Sequence, residues 1–487
     1  MIEQLRAELE ALREAAAPLE PDAAERDRLA GLAFGHAEAF LAGLEEGATY
    51  HGWDAAAAQG LDPEFAEAGR DPAAVLAWLG RGVDRPGIAT ASPRFMGYIP
   101  GGGLFHSALG DFLAAAANKY AGFAPAAPGA VRLENATAAW LAQVIGYPAE
   151  AGGTLTSGGS MANLTAIVAA REARDPDGGG AVYLTRFAHH CIDKALRIAG
   201  RARAPRRIIA TDANHRMDAG ALAEALARDA ADGVRPWLVV ASAGTVDTGA
   251  VDPLEEIAGL CAEYGAWLHV DGAYGGLFML CPEGRERLGG IARADTVALD
   301  PHKTLFLPYG TGAVLARDAG TLLGAFSASA DYIRPFAESD VGPSPGDLSP
   351  ELTRHFRALR LWLPLQIAGV AAFRAAQSEK IKLARYFHAR LAQLPGWDAG
   401  PAPDLSVVAF RFRPGQGDAN AFNELLLRRV QEGGRVFLSG TRIDGEAWLR
   451  CAILSFRTHL AHIDETIEIL VRTAAALQSN EGNDSAG

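Results

Sequence analysis

A chain of 487 residues is too long for one compact core and implies two or three domains. Its 49% hydrophobic and 21% charged residues are ordinary globular usage with room for a sizeable core. Forty-five basic against 58 acidic residues leave a formal charge of −13, which favours solubility and argues against a broad nucleic-acid footprint. The four cysteines, Cys191, Cys261, Cys281 and Cys451, lie far apart with no CxxC pair. Neither a disulfide framework nor a metal site is expected, and a reducing cytoplasm is the natural compartment. The charged start, Met1 to Glu8, is no signal peptide, and no apolar run is long enough to make a membrane a partner.

Residues 1–50 are rich in Ala, Leu and Glu, and Ile2, Leu5, Leu9 and Leu12 recur at helical spacing. This amphipathic stripe must bury against its own chain or a partner. Five prolines between 60 and 100 predict short helices and loops. From about 150, short β-branched runs alternate with amphipathic helices. Strands are expected at 181–185, 206–211, 236–242, 266–271, 296–300 and 311–316, with helices at 161–173, 190–199, 218–230 and 253–264. That alternation predicts a mostly parallel sheet wrapped by helices, with ligands at the C-terminal strand ends. One long helix is expected over 350–392. Runs at 405–413 and 449–456 read as strands of a smaller α+β domain, and the polar residues 479–487 as a disordered tail.

Four strand ends carry suggestive residues. Thr156-Ser157-Gly158-Gly159-Ser160-Met161-Ala162-Asn163 opens a helix, where small residues and the helix N-terminus suit an anion. The plainer reading is a turn with a serine cap. Ala188-His189-His190-Cys191 offers an imidazole to stack on a flat ring, and physics alone does not choose between the two histidines. In Trp267-Leu268-His269-Val270-Asp271-Gly272-Ala273-Tyr274, a carboxylate ends an apolar strand and needs a partner, such as a protonated ring nitrogen. In Asp300-Pro301-His302-Lys303-Thr304-Leu305-Phe306, a lysine among apolar residues is expected to have a pKa depressed by desolvation. Each signal alone is ambiguous. Together they supply what pyridoxal 5′-phosphate (PLP) needs: a phosphate nest, a ring contact, an anion for N1 and an amine for the aldehyde.

The chain resembles the PLP-dependent group II amino-acid decarboxylases, which include aromatic-L-amino-acid and glutamate decarboxylases. The resemblance covers roughly residues 60–475. It is carried by the segments above and by Ser92-Pro93-Arg94-Phe95-Met96-Gly97-Tyr98-Ile99-Pro100, Gly244-Thr245, Arg354-His355-Phe356-Arg357-Ala358-Leu359-Arg360-Leu361-Trp362 and Leu449-Arg450-Cys451-Ala452-Ile453. It implies an α/β fold of the PLP-dependent transferase fold type I. An N-terminal helical arm would occupy 1–95, a PLP-binding domain 96–375 and a small α+β domain 376–478. It further implies that Lys303 holds the cofactor as a Schiff base beside His302, that Asp271 pairs with the ring nitrogen, and that His189 and Ala273 flank the ring. Gly159, Ser160 and Thr245 would complete the cofactor site. Tyr98 and Ile99 would contact substrate, and Tyr120 and Phe123 would lie where a partner subunit reaches across in a homodimer with shared sites.

The implied activity is decarboxylation of an L-amino acid, with an aromatic one expected from Tyr98, Phe95 and Tyr120. Two departures stand out. The family writes Gly-Thr-Thr where this chain has Gly244-Thr245-Val246. Its loop tyrosine, thought to return a proton to Cα, has no counterpart in Ser339-Asp340-Val341-Gly342-Pro343-Ser344-Pro345-Gly346-Asp347; Tyr332 lies upstream. The alternatives are a decarboxylation-coupled oxidative deaminase yielding an aldehyde, another PLP amino-acid enzyme on the same fold, and a catalytically silent relative. An intact Lys303, Asp271 and His189 argue against the last.

Overall fold

A computed structural model describes residues 1–52, 61, 65–327 and 341–484, with side chains described to Ser479. The chain divides into two units, Met1–Ala89 and Thr90–Gly487. In the first, the N-terminal segment forms two helices, Ile2–Ala16 and Ala23–Ala42, where the sequence suggested one amphipathic stretch. Pro18 and Pro21 interrupt it, and the Asp22 side chain caps the second helix by accepting from Glu25 N at 2.8 Å. Ile2, Leu5, Leu9 and Leu12 stay 54–68% exposed. Strands β1 (Tyr50–His51) and β2 (Gly87–Ile88) pair antiparallel.

The second unit contains a seven-stranded and a four-stranded sheet. In the larger, β3 (Gly152–Thr156), β4 (Ala181–Thr185), β5 (Arg206–Ile209), β6 (Pro236–Ser242), β7 (Trp267–Gly272), β8 (Thr296–Leu299) and β9 (Gly312–Ala316) lie in the order β3-β9-β8-β7-β6-β4-β5. Only β9 runs against its neighbours. The mostly parallel α/β sheet expected from the sequence is therefore present. Its central strands are buried along their length, because helices cover both faces and no polar face is needed. The smaller sheet joins β10 (Trp397–Asp398), β11 (Val407–Phe412), β12 (Ser439–Ile443) and β13 (Glu446–Ala452) around its own apolar cluster, which includes Phe387, Phe410 and Leu438. The closing helix, Leu460–Asp484, enters the polar segment read as a tail. No helix among the described residues is long and apolar enough to cross a membrane.

The single helix expected over 350–392 is two, Arg357–Ala368 and Val370–Leu391. Gly369 breaks it with φ of 76°, a conformation that side-chain-bearing residues resist. The residues before Arg357 stay out of the helix, where Arg354 meets Glu134 in a fully buried ion pair of 2.7 Å. Thr154 Oγ1 and Leu155 N donate to the same Glu134 oxygen at 3.0 and 3.1 Å, and Arg354 Nη1 donates to Thr154 Oγ1 at 2.8 Å. This lattice fixes β3, whose end opens the glycine-rich turn. Removing one partner leaves an uncompensated buried charge, so Arg354→Met should lower stability by about 3–5 kcal/mol. Denaturant midpoints should show that loss, and adding Glu134→Leu should recover part of it.

Candidate active site

Five chain segments converge on a cavity of about 310 Å³. The turn after β3 supplies Ser157 to Ser160, the segment after β4 supplies His189, and the turn after β6 supplies Thr245 and Val246. Asp271 and Ala273 come from the end of β7, and Asp300, His302 and Lys303 follow β8. Strands β4, β6, β7 and β8 deliver these residues from their C-terminal ends, as parallel packing predicts. Lys303, His189, Asp271, His302, Gly159, Ser160, Thr245 and Ala273 thus share one cavity.

The glycine-rich turn has little spare room. Gly158 has φ of 153°, and the helix Gly159–Arg174 begins directly after it. A Cβ on Gly159 would sit 2.8 Å from Asp300 Oδ2 and 3.0 Å from the Ala273 methyl. Backbone N–H groups of this first turn point to the cavity end of the helix, with Ser157 and Ser160 beside them.

Lys303 Nζ lies 3.0 Å from Asp300 Oδ2. Burial pulls the lysine pKa down, but the charge of Asp300, then that of Asp271, outweighs it, so the ammonium sits above the ordinary lysine value. This corrects the expectation of a depressed Lys303. The motif places a carboxylate three residues earlier, and the helical turn Pro301–Thr304 brings it alongside. Asp300 is itself buried, with Oδ1 unpartnered within the protein. It belongs to the site and was missed, although its position in the motif was the available signal.

Asp271 accepts from Ala273 N at 3.1 Å and from Asn163 Nδ2 at 3.3 Å. His302 donates through Nδ1 to the Thr311 carbonyl at 2.7 Å, leaving Nε2 toward Asp300 at 3.7 Å. His189 Nδ1 accepts from Cys191 N at 3.2 Å, so its proton resides on Nε2. Burial lowers the pKa of both imidazoles, most directly opposed by Asp271 at His189 and Asp300 at His302. Of the adjacent pair, His189 lines the cavity and His190 is exposed.

The four residues expected at the substrate do not line this cavity in the single chain. Tyr98 is 59% exposed and packs against Phe95 and Phe437, while Ile99 is buried in the main core. Tyr120 and Phe123 are partly exposed. Tyr332, Ser339 and Asp340 fall outside the described residues. The rest of that loop is anchored: Asn135 Nδ2 donates to the carbonyls of Val341 and Pro343, and Ala124 N donates to Ser344 Oγ.

An amine, a carboxylate and an anion nest at the ends of a parallel sheet define a PLP enzyme of fold type I. The cleft left by Gly159 and Ala273, with the helix start at Gly159 beside it, fits a flat phosphorylated ring. The sequence profile of the pyridoxal-dependent decarboxylase conserved domain matches residues 80–413, and the chain belongs to that family of PLP-dependent carboxy-lyases. The aromatic-L-amino-acid decarboxylase of Bacillus atrophaeus is 35% identical over 422 residues, covering 85% of this chain and 87% of that protein. The phenylacetaldehyde synthase of Arabidopsis thaliana is 29% identical over 412 residues, covering 80% and 84%. Among solved structures, Oryza sativa TDC with PLP and tryptamine superposes with a TM-score of 0.88 at 26% identity, covering 94% and 99% of the two chains.

Because a Cβ at Gly159 would press on Asp300 and Ala273, Gly159→Ala should leave the apoprotein folded and weaken PLP binding at least about tenfold, a loss of about 1.4 kcal/mol. Titration of apoprotein followed in the visible region measures it.

Proposed function

We propose that this chain decarboxylates an aromatic L-amino acid with PLP carried on Lys303. One observation supports the assignment of roles: the Lys303 amine, the Asp271 carboxylate and the glycine-rich helix start face a single cavity. The aromatic substrate rests on the relatives, the Bacillus atrophaeus enzyme above all. Bound PLP supplies an electron-poor ring that takes up the electron pair left when the carboxylate departs as CO₂.

The protein's part is positional and electrostatic. Asp271, held as an acceptor by Asn163 and Ala273, would keep a proton on the ring nitrogen. His189 would cover the ring with a neutral imidazole, and the small Ala273 would leave room for it. Gly159 and Ser160 would hold the phosphate, with Thr245 lining the same cavity. Lys303 must lose a proton before its Nζ can act as a nucleophile, and Asp300 Oδ2 is the acceptor in place at 3.0 Å. His302 is itself fixed beside Lys303 by its Nδ1–H on the Thr311 carbonyl.

The loop without tyrosine favours a second outcome beside the first. Without a loop tyrosine to return the proton to Cα, the decarboxylated substrate would be open to O₂, which together with water would give aldehyde, ammonia and H₂O₂, and a relative is named a phenylacetaldehyde synthase. General-acid help is worth about 10²–10⁴-fold, so a slower decarboxylase survives its loss. We assign the amine as the main product and the aldehyde as a minor one. The exposed stripe of Ile2, Leu5, Leu9 and Leu12 supports a two-fold homodimer, in which Tyr120 and Phe123 meet the other subunit's site. Four buried, unpaired cysteines are in keeping with a cytoplasmic protein.

A panel of L-amino acids, read for CO₂, amine and H₂O₂ together, tests the reaction; no CO₂ from any aromatic substrate overturns it. Lys303→Ala should lose the visible band of the purified enzyme, whereas an unchanged band removes Lys303 from the mechanism. Asp271→Asn should retain cofactor and slow turnover about 10²-fold or more, the cost of an unprotonated ring.

A further inference from the structure

Behind Asp271 and its partner Asn163 lies a line of buried polar side chains that the reaction scheme leaves without a task. Trp267 Nε1 donates to Thr296 Oγ1 at 3.0 Å. Thr296 Oγ1 is 3.0 Å from His269 Nδ1, and His269 Nε2 is 2.7 Å from Asn163 Oδ1. Asn163 Nδ2 then donates to Asp271 Oδ2 at 3.3 Å. Trp267, Thr296, His269 and Asn163 are each at most 3% exposed. The line crosses three elements, β7, β8 and the helix Gly159–Arg174, with His269 and Thr296 paired in register.

Its polarity is fixed from the Asp271 end. A carboxylate accepts, so the Asn163 amide N–H faces Asp271 and its carbonyl faces His269, which must carry its proton on Nε2. His269 Nδ1 is then left to accept the Thr296 hydroxyl proton, while the Thr296 oxygen accepts from the Trp267 indole, which only donates. Turning the amide over would set its oxygen against the carboxylate. Burial lowers the His269 pKa to about 4, so the ring is neutral and has one proton to place. Each link thus has one donor and one acceptor, all pointing toward the cofactor side.

We infer that Trp267, Thr296, His269 and Asn163 form a one-way hydrogen-bond chain of positioning residues that holds the Asp271 carboxylate aimed at the cofactor's ring nitrogen. The inference rests on the assignment of Asp271 to that nitrogen. His269 touches neither substrate nor cofactor and acts through the Asn163 amide. An orienting hydrogen bond of this type settles which form of a functional group exists, and outer partners of this kind typically change affinity or activity by about 10–100-fold.

The chain can be cut two links away from Asp271. Thr296→Val preserves shape and removes the hydroxyl, and Thr296→Ser restores it. With PLP bound, Thr296→Val should move the visible band in the same direction as Asp271→Asn. It should also lower kcat about 10–100-fold with little change in KM, while Thr296→Ser stays near wild type. Equal spectra and kcat in folded Val and Ser variants would overturn the inference. A second readout needs no turnover. In histidine ¹⁵N spectra of the holoenzyme, the signals lost in His269→Gln should report a protonated Nε2 and a bare Nδ1. The reverse tautomer or a charged ring would sink the idea even if Thr296→Val fails to fold. Wild-type protein that never shows a visible cofactor band would instead overturn the underlying cofactor assignment.

Discussion

A carboxylate at the end of an apolar strand is the constraint around which this fold is arranged. Asp271 is the penultimate residue of β7, whose Trp267 to Val270 are buried, and a polar group there needs hydrogen-bond partners. The protein answers with donors rather than solvent: a backbone N–H two residues on, and an amide from the helix that begins at Gly159. The amide binds that helix to β7, and the turn that starts the helix is where the phosphate is expected. A single carboxylate thereby relates the two ends of the cofactor site.

The second buried carboxylate works differently. Asp300 faces Lys303 directly and, through Oδ2, the Cα of Gly159. In the free protein, the ammonium balances it. A lysine in such surroundings is stored charged. Further back, the Glu134–Arg354 pair anchors β3 from beneath, so the turn that builds the nest rests on fixed backbone.

Much of this was legible in the sequence. The strands at 181–185 and 236–242 match to the residue, because fully buried parallel strands are short apolar runs with sharp ends. The cavity residues were legible for a related reason: each follows a strand end, where side chains have no choice but to face one opening. What escaped was pairwise. The lysine's raised pKa depends on a carboxylate one helical turn away, and a count of apolar neighbours gives the opposite sign. The helix expected over 350–392 took no account of Gly369, whose φ makes the break. His269 carried no expectation of its own, since nothing along the chain announces that Asn163, more than a hundred residues earlier, will meet it.

The missing hydroxyl at Val246 is best understood through the opposite domain. Arg450, on β13, is buried with no carboxylate among the described residues in hydrogen-bond contact. Its guanidinium instead donates to the carbonyls of Val246, of Asp247 at 3.0 Å and of Tyr98 at 3.4 Å, and to Ser439 Oγ at 2.8 Å. Carbonyl and hydroxyl acceptors satisfy a buried cation only when several converge, and here they come from both sheets' segments. The same guanidinium holds Tyr98, whose φ of 51° is left-handed. The backbone of the Thr245–Asp247 turn is thus placed by Arg450 and by Thr245 N donating to Ala250 O at 2.9 Å. A hydroxyl at position 246 would add a donor to the cavity wall but is not what sets the wall's position. Losing it changes what the cavity can hydrogen-bond while leaving its shape intact, which directs the search for altered chemistry in this chain to proton supply rather than to cofactor placement.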